Sequence, residues 1–323
     1  MGFPLGDWID SHAGARHNLG QSGMRGSLET PRRALRGMPE PDLDALRHEL
    51  AQTVGVAPTR LFLTHGATEG NTAVAFYLAQ GARRRGRRLP RVRLPIPEYP
   101  PLTAAATWAG FAVTSSAAQA DLVLLSDPNN PTGRRWRDEE FDRWRQRGRS
   151  ILVDETFREF TSARSRARAG RAGLWTTGTF TKAYGGDAHR VGYVVAPEEE
   201  ADRFAAFHGV LLDGLAEASV RAARALLRAR PKVLGEARAL FRSNLRVLRE
   251  AVPGVPALDA PLWFDRAVGG DGDRLARRLL RASVLVCPGS FFGDASGVRI
   301  CLTRRTFPID LMAYLRVRDR TAR

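Results

Sequence analysis

Between residues 42 and 215 the chain alternates helical and strand patterns, and nothing else in it limits the fold as much. Two strand segments, residues 121–126 and 150–154, are apolar through their interiors: Leu122-Val123-Leu124-Leu125 and Ile151-Leu152-Val153. A strand with one wet face alternates apolar and polar residues, whereas an unbroken apolar run belongs to a strand covered on both faces. Covered strands with helical segments between them predict an α/β fold with a largely parallel sheet. The spacing predicts helices over 43–53, 69–80, 102–109 and 138–146, and further strands over 60–64, 91–96, 111–114, 175–181 and 191–196.

Past residue 196 the character changes. Helical stretches over 198–208, 215–230 and 232–251 precede short strands over 262–265, 284–287 and 298–302, with helices over 274–281 and 308–317. This predicts two domains: a large α/β domain over 40–215, and a small α+β domain with an N-terminal segment over 1–39 and 216–323. At 323 residues the chain is long enough for both. The Arg/Ala-rich run over 162–173 reads as a loop or exposed helix.

Bulk properties exclude several classes. Hydrophobic content of 43% and charged content of 26% are ordinary for a globular protein. No run approaches the ~20 apolar residues that span a bilayer, and the first residues lack the pattern of a signal peptide. Cys287 and Cys301 are too few for a disulfide framework, and no Cys/His spacing suggests a metal. The expectation is a soluble cytoplasmic protein with reduced thiols, no metal and no membrane. A formal charge of +16 raises the question of nucleic acid. The densest basic run, Arg83-Arg84-Arg85-Gly86-Arg87-Arg88, falls between a predicted helix and a predicted strand, with no recognition motif beside it. It reads as a solvated connection, and no nucleic-acid partner is expected.

The chemistry centres on Lys182. The chain holds two lysines, Lys182 and Lys232, among 50 basic residues. A guanidinium stays protonated, whereas a lysine amine can lose its proton and form a Schiff base with an aldehyde. Four loops at predicted strand ends surround this idea, and ligands of open α/β sheets bind at such ends. Gly66-Ala67-Thr68-Glu69-Gly70 opens a helix, where backbone N–H groups and a hydroxyl make an anion site; a plain helix cap at Thr68 reads equally well. Asp127-Pro128-Asn129-Asn130-Pro131-Thr132-Gly133 is a rigid turn that holds the Asn130 amide at the sheet edge. Asp154 ends a buried strand, where a carboxylate is costly without a cation; an arginine or a protonated pyridine nitrogen would serve. Thr179-Phe180-Thr181-Lys182, with Arg190, offers two hydroxyls and a guanidinium to a phosphate. Together the loops describe pyridoxal phosphate: an aldehyde for Lys182, a ring nitrogen for Asp154, a phenolate for Asn130, and a phosphate for Ala67, Thr68, Thr179, Thr181 and Arg190.

This ordered set, with Tyr99, resembles the class I/II aminotransferases of the fold type I pyridoxal phosphate enzymes over nearly the whole chain. The resemblance implies that Tyr99 stacks on the cofactor ring and that Arg299 binds a substrate α-carboxylate. It also implies a homodimer with active sites at the subunit interface. The activity it implies is transamination between a small-molecule amino acid and a 2-oxo acid. The alternative is another reaction of the same cofactor: elimination, decarboxylation, cyclisation or oxidation in a specialised pathway. Three departures bear on that choice. Phe157 stands where the family usually has a tyrosine. Asp187 and His189 stand where it has small or apolar residues, and His189 reads either as a general acid/base or as a hydrogen-bonded structural residue. The segment 30–42 has no tyrosine for a neighbouring subunit, and the polar strap 17–24 is unusual; there Asn18, Gln21 and Ser22 are candidates to touch substrate.

Overall fold

The computed structural model describes residues 4–24, 27–30, 40–145, 149–161, 171, 173–212 and 214–319. The run over 162–173 therefore lies almost wholly outside the described residues.

In chain order the structure runs α1 (Pro4–Ser11), β1 (His17–Asn18), α2 (Leu43–Val54), β2 (Leu61–Thr64), α3 (Ala67–Arg84), β3 (Arg91–Arg93), α4 (Pro100–Trp108), β4 (Ala112–Val113), β5 (Leu122–Ser126), α5 (Asp138–Arg145), β6 (Ser150–Asp154), β7 (Leu174–Thr179) and β8 (Gly192–Val195). It continues α6 (Ala201–Leu211), α7 (Glu217–Arg228), α8 (Arg230–Ala251), β9 (Leu262–Arg266), α9 (Gly272–Arg281), β10 (Val284–Leu285), β11 (Cys287–Pro288), β12 (Gly297–Cys301) and α10 (Phe307–Asp319).

Seven strands form one sheet in the order β2-β8-β7-β6-β5-β3-β4. Strands β7, β6, β5, β3 and β4 pair in parallel, and β8 is antiparallel to both of its neighbours. The unbroken apolar runs explain why helices cover both faces. Leu122, Leu124 and Leu152 point into one buried cluster with α3, α4 and Phe204 of α6. Val123, Leu125, Ile151 and Val153 point into another with Phe141 and Trp144 of α5. Burying each such side chain contributes roughly 1.5–3 kcal/mol.

Two smaller sheets complete the molecule. Strands β11-β12-β9 are antiparallel, and β1 pairs in parallel with β10. Here sequence and structure differ. The strand expected over 284–287 is two strands in different sheets. Val284 and Leu285 pair with the N-terminal strap, while Cys287 and Pro288 pair with β12. Similarly, the strand expected over 91–96 stops at Arg93, because Pro95 and Pro97 have no N–H for a ladder. Helix α1 was not expected: its eight residues are too few for a clear period, but its Leu5 is buried beside Cys287 and Phe292.

The large and small sheets meet at the Asn-Pro-Thr-Gly turn. Gly133 adopts φ +69°, and a Cβ there would lie 2.2 Å from the Leu262 carbonyl of β9. Asp259 N–H donates to its carbonyl at 2.8 Å. No helix among the described residues is long and apolar enough to cross a membrane.

Candidate active site

The loops singled out above all follow strands of the large sheet at its carboxyl edge. Three parallel strands end side by side there: Ser126 pairs with Asp154, and Asp154 with Thr177.

Asp154 is 3% exposed. Its Oδ2 accepts from Asn71 Nδ2 at 2.9 Å and its Oδ1 from Thr156 N–H at 2.9 Å. Asn71 is aimed in turn by Thr177 Oγ1, which donates to Asn71 Oδ1 at 2.8 Å. Burial pushes the Asp154 pKa up, against the pull of these hydrogen bonds and of Lys182. A carboxylate in that state favours a neighbour that brings a proton. Asn71 was missed in the sequence; the available signal was one amide among the alanines of α3.

Helix α3 begins at Ala67, with Gly66 as its cap at φ +89°, so the cap is not Thr68. A Cβ on Gly66 would lie 2.8 Å from Arg190 Nη2. The guanidinium thus lies against the Gly66 cap, just ahead of Ala67 and Thr68 in the first turn of the helix. Arg190 itself is in the left-handed region, at φ 48° and ψ 49°. Its Nη1 reaches the Asp187 carbonyl at 3.5 Å, and it forms no ion pair among the described residues. On the other side Thr179 Oγ1 donates to the Val191 carbonyl at 3.0 Å and accepts from Thr181 N–H at 3.2 Å. A helix N-terminus, a guanidinium without a carboxylate and the Thr181 hydroxyl make an anion site, with Thr179 fixing the Thr181 backbone beside it.

Arg299, in the middle of β12, is 2% exposed. Nη1 donates to Asn130 Oδ1 at 3.1 Å, and Nη2 to the Gly20 carbonyl at 2.8 Å and to Cys287 Sγ at 3.1 Å. Phe292 lies under the guanidinium, 5.1 Å from ring centre to Cζ. Nε is buried with no hydrogen-bond partner. A buried cation with an orphaned donor suits a carboxylate that binds through two N–H groups. Since Asn130 accepts from Arg299 through Oδ1, its Nδ2 is left to donate.

Glu98 was also missed. It is 3% exposed, and its carboxylate gathers Tyr99 N–H at 2.7 Å, Ser126 N–H at 2.9 Å, the Ser126 hydroxyl and Asn129 Nδ2 at 3.4 Å. Ser126 Oγ accepts from Asn130 N–H at 2.9 Å. One carboxylate thereby fixes the backbones of both Tyr99 and Asn130. Burial, with a contribution from Asp154, pushes its pKa up to about 8 against these donors.

Lys182 follows Thr181 at the centre of these groups. Burial lowers its pKa; Asp187 opposes that shift, while Arg299 and Arg190 add to it. Phe157 is buried in the apolar core beside Phe160, at 6.3 Å between ring centres. His189 ends a short 3-10 turn that starts at Asp187. Asn18 Oδ1 accepts from Gly20 N–H at 3.1 Å and Gln21 N–H at 3.2 Å, so its side chain shapes the strap.

The residues present fit pyridoxal phosphate on two observations of this structure: the Gly66–Arg190 anion corner and the buried Asp154 with its raised pKa. No group of three or more residues able to hold a metal occurs among the described residues.

The fold is that of the fold type I aminotransferases. The structure superposes on aspartate aminotransferase from Thermus thermophilus, solved with maleate, with a TM-score of 0.78 at 19% identity, covering 97% of this chain and 96% of that one. A probable N-succinyldiaminopimelate aminotransferase from Thermus thermophilus gives 0.78 at 22% identity, covering 98% of each chain. The family profile described as aminotransferase class I and II matches residues 24–307, and the chain belongs to that family. Its sequence relatives include an aspartate aminotransferase from Thermococcus kodakarensis, 28% identical over 57% of this chain and 53% of that protein. A 3-methylarginine biosynthesis aminotransferase from Streptomyces arginensis is 29% identical over 51% of this chain and 49% of that protein. The chain spans about half the length of these curated relatives.

Proposed function

We propose that the protein is a pyridoxal phosphate-dependent aminotransferase that moves an amino group between a small-molecule amino acid and a 2-oxo acid, working as a homodimer. The observation that carries this reading is one partly buried amine, Lys182, set among Asp154, Arg190 and Arg299, none of which forms an ion pair among the described residues.

In this reading Lys182 would hold the cofactor through its aldehyde carbon. Arg190, Thr179, Thr181 and the first turn of α3 would hold its phosphate, Asp154 would serve its ring nitrogen, Asn130 its phenolic oxygen, and Tyr99 its ring. The bound cofactor supplies an electron sink that makes the Cα proton of an amino acid removable. Arg299 holds the α-carboxylate and so orients that proton toward Lys182. Burial keeps Nζ neutral more readily than in water, which suits it to take the proton and return it. Substrate contacts from Asn18 belong to the same proposal, acting through the strap.

A second reading, another reaction of the same cofactor, draws on Phe157. A phenyl ring donates no hydrogen bond, so Phe157 would offer none to the cofactor where the family usually has a tyrosine.

The test is an absorbance spectrum of the purified protein beside Lys182→Ala. The expected result is a band near the visible edge that the variant lacks. An amino acid from a panel including aspartate, aromatic residues and arginine derivatives should bleach it, and a 2-oxo acid should restore it. A band that returns without any 2-oxo acid, with a product formed, selects the second reading. No band with added cofactor overturns both.

A further inference from the structure

Around Lys182 stand two cations, Arg190 and Arg299, two carboxylates, Asp154 and Asp187, and the Cys301 thiol. The proposed function gives Arg190 a phosphate, Arg299 a carboxylate and Asp154 a ring nitrogen. Asp187 receives nothing. It opens the short turn between Lys182 and Arg190, and its Oδ1 is buried with no hydrogen-bond partner. Its Oδ2 faces the strap so closely that a Cβ on Gly23 would lie 2.9 Å away. The strap backbone therefore walls one side of this carboxylate. An unsatisfied buried carboxylate oxygen costs free energy unless something with a positive charge or a proton visits it.

We propose that Asp187 is a positioning residue for the proton of Lys182: its carboxylate pairs with the ammonium form of Lys182 whenever that amine is free of the cofactor. Asp187 and Lys182 form no direct ion pair in the arrangement described, so pairing uses the rotations of the four-carbon lysine stem. Of the neighbouring charges, Asp187 is the one that most favours the charged amine, and Arg299 and Arg190 most oppose it. During turnover the proton that leaves the substrate Cα goes to Nζ, making an ammonium; Asp187 stabilises it there until it is returned. That consequence rests on the proposed function, but the pairing itself does not.

The scarcity of lysine supplies the test. Protein labelled with carbon-13 at lysine Cε gives one signal from Lys182 and one from Lys232, which is exposed on α8. In cofactor-free protein the Lys182 signal is titrated in wild type, Asp187→Asn and Asp187→Glu. The expected result is a Lys182 midpoint lower by about one pH unit or more in Asp187→Asn, since an opposite charge is removed. Asp187→Glu should restore most of the shift, and Lys232 should not move. An unmoved Lys182 midpoint in Asp187→Asn overturns the pairing. Two roles would then account for Asp187: a higher KM confined to cationic amino acids would mark it as a substrate contact, and a weakened dimer would mark it as a subunit contact. If Asp187→Asn proves unstable, Asp187→Glu with an unmoved midpoint and Gly23→Ala with a moved one carry the same decision, because Gly23→Ala displaces the carboxylate and leaves its charge. The readout contains neither cofactor nor substrate, so a failed absorbance experiment and a failed titration are separate results.

Discussion

At the scale of single residues, charges buried without full pairing dominate the site. Replacing Arg299 by methionine keeps the stem but leaves Asn130 Oδ1 and the Gly20 carbonyl without their donor. Removing one member of a buried charged contact costs about 2–5 kcal/mol, so kcat/KM for an amino acid is expected to fall on the order of 10²–10³-fold, measured by steady-state kinetics. Arg299→Lys keeps the charge and loses the two-pronged geometry, and should fall between. Glu98 makes a different prediction. Its carboxyl holds its proton up to about 8 in the folded chain, whereas the ordinary value is 4.5. Between those values the unfolded chain has released the proton and the folded chain keeps it, so folding stability drops as pH rises through that window. Glu98→Gln should flatten the fall by at most one proton, ~1.4 kcal/mol per pH unit. Melting temperatures from pH 5 to 8 read this directly, and an unchanged slope would mean that Glu98 is ionised throughout. Asp154, also raised, faces the same space and remains in both proteins.

At the scale of elements, what could be read from the sequence depended on how local the determining interaction is. The buried strands β5 and β6 announced themselves by their composition, and a polar residue ending such a strand marked Asp154. Lys182 was legible because the chain has so few lysines. Asn71 and Glu98 were not, since each gains its role from a partner far along the chain: 83 residues for Asn71 to Asp154, and 28 for Glu98 to Ser126. No period in a helix or strand encodes that register. The same holds for β10 and β11, which look like one strand until their partners divide them. The turn between β2 and α3 gives the prediction at this scale. Gly66→Ala puts a side chain at φ +89° and against Arg190 Nη2. Such strain costs about 1–3 kcal/mol, and the guanidinium must move as well. The cofactor dissociation constant, measured by absorbance titration, should rise roughly tenfold or more, with far less effect on the substrate KM.

At the scale of the whole molecule, the chain has one large sheet carrying most of the site, a three-stranded sheet carrying Arg299, and a two-stranded sheet that ties in the strap. The proposed homodimer predicts a sedimentation mass of twice the 35.5 kDa chain. It also predicts cofactor affinity that falls on dilution below the dimer dissociation constant. A monomer with full activity would remove the shared site from the proposal. The arginine excess was legible as composition only; where its charges meet partners, as in Arg224 with Glu49 at 2.9 Å, they join helices α7 and α2.

The Gly20 carbonyl takes on another meaning in this light. It receives Arg299 Nη2, and the thiols of Cys287 and Cys301 lie at 3.5 and 3.6 Å. A substrate carboxylate that claims the guanidinium competes with that carbonyl for the same hydrogens. Occupancy of the site and tension in the strap are then two readings of one balance. Amide hydrogen exchange along residues 18–24 would serve as a gauge of ligand binding, with no chemistry needing to occur.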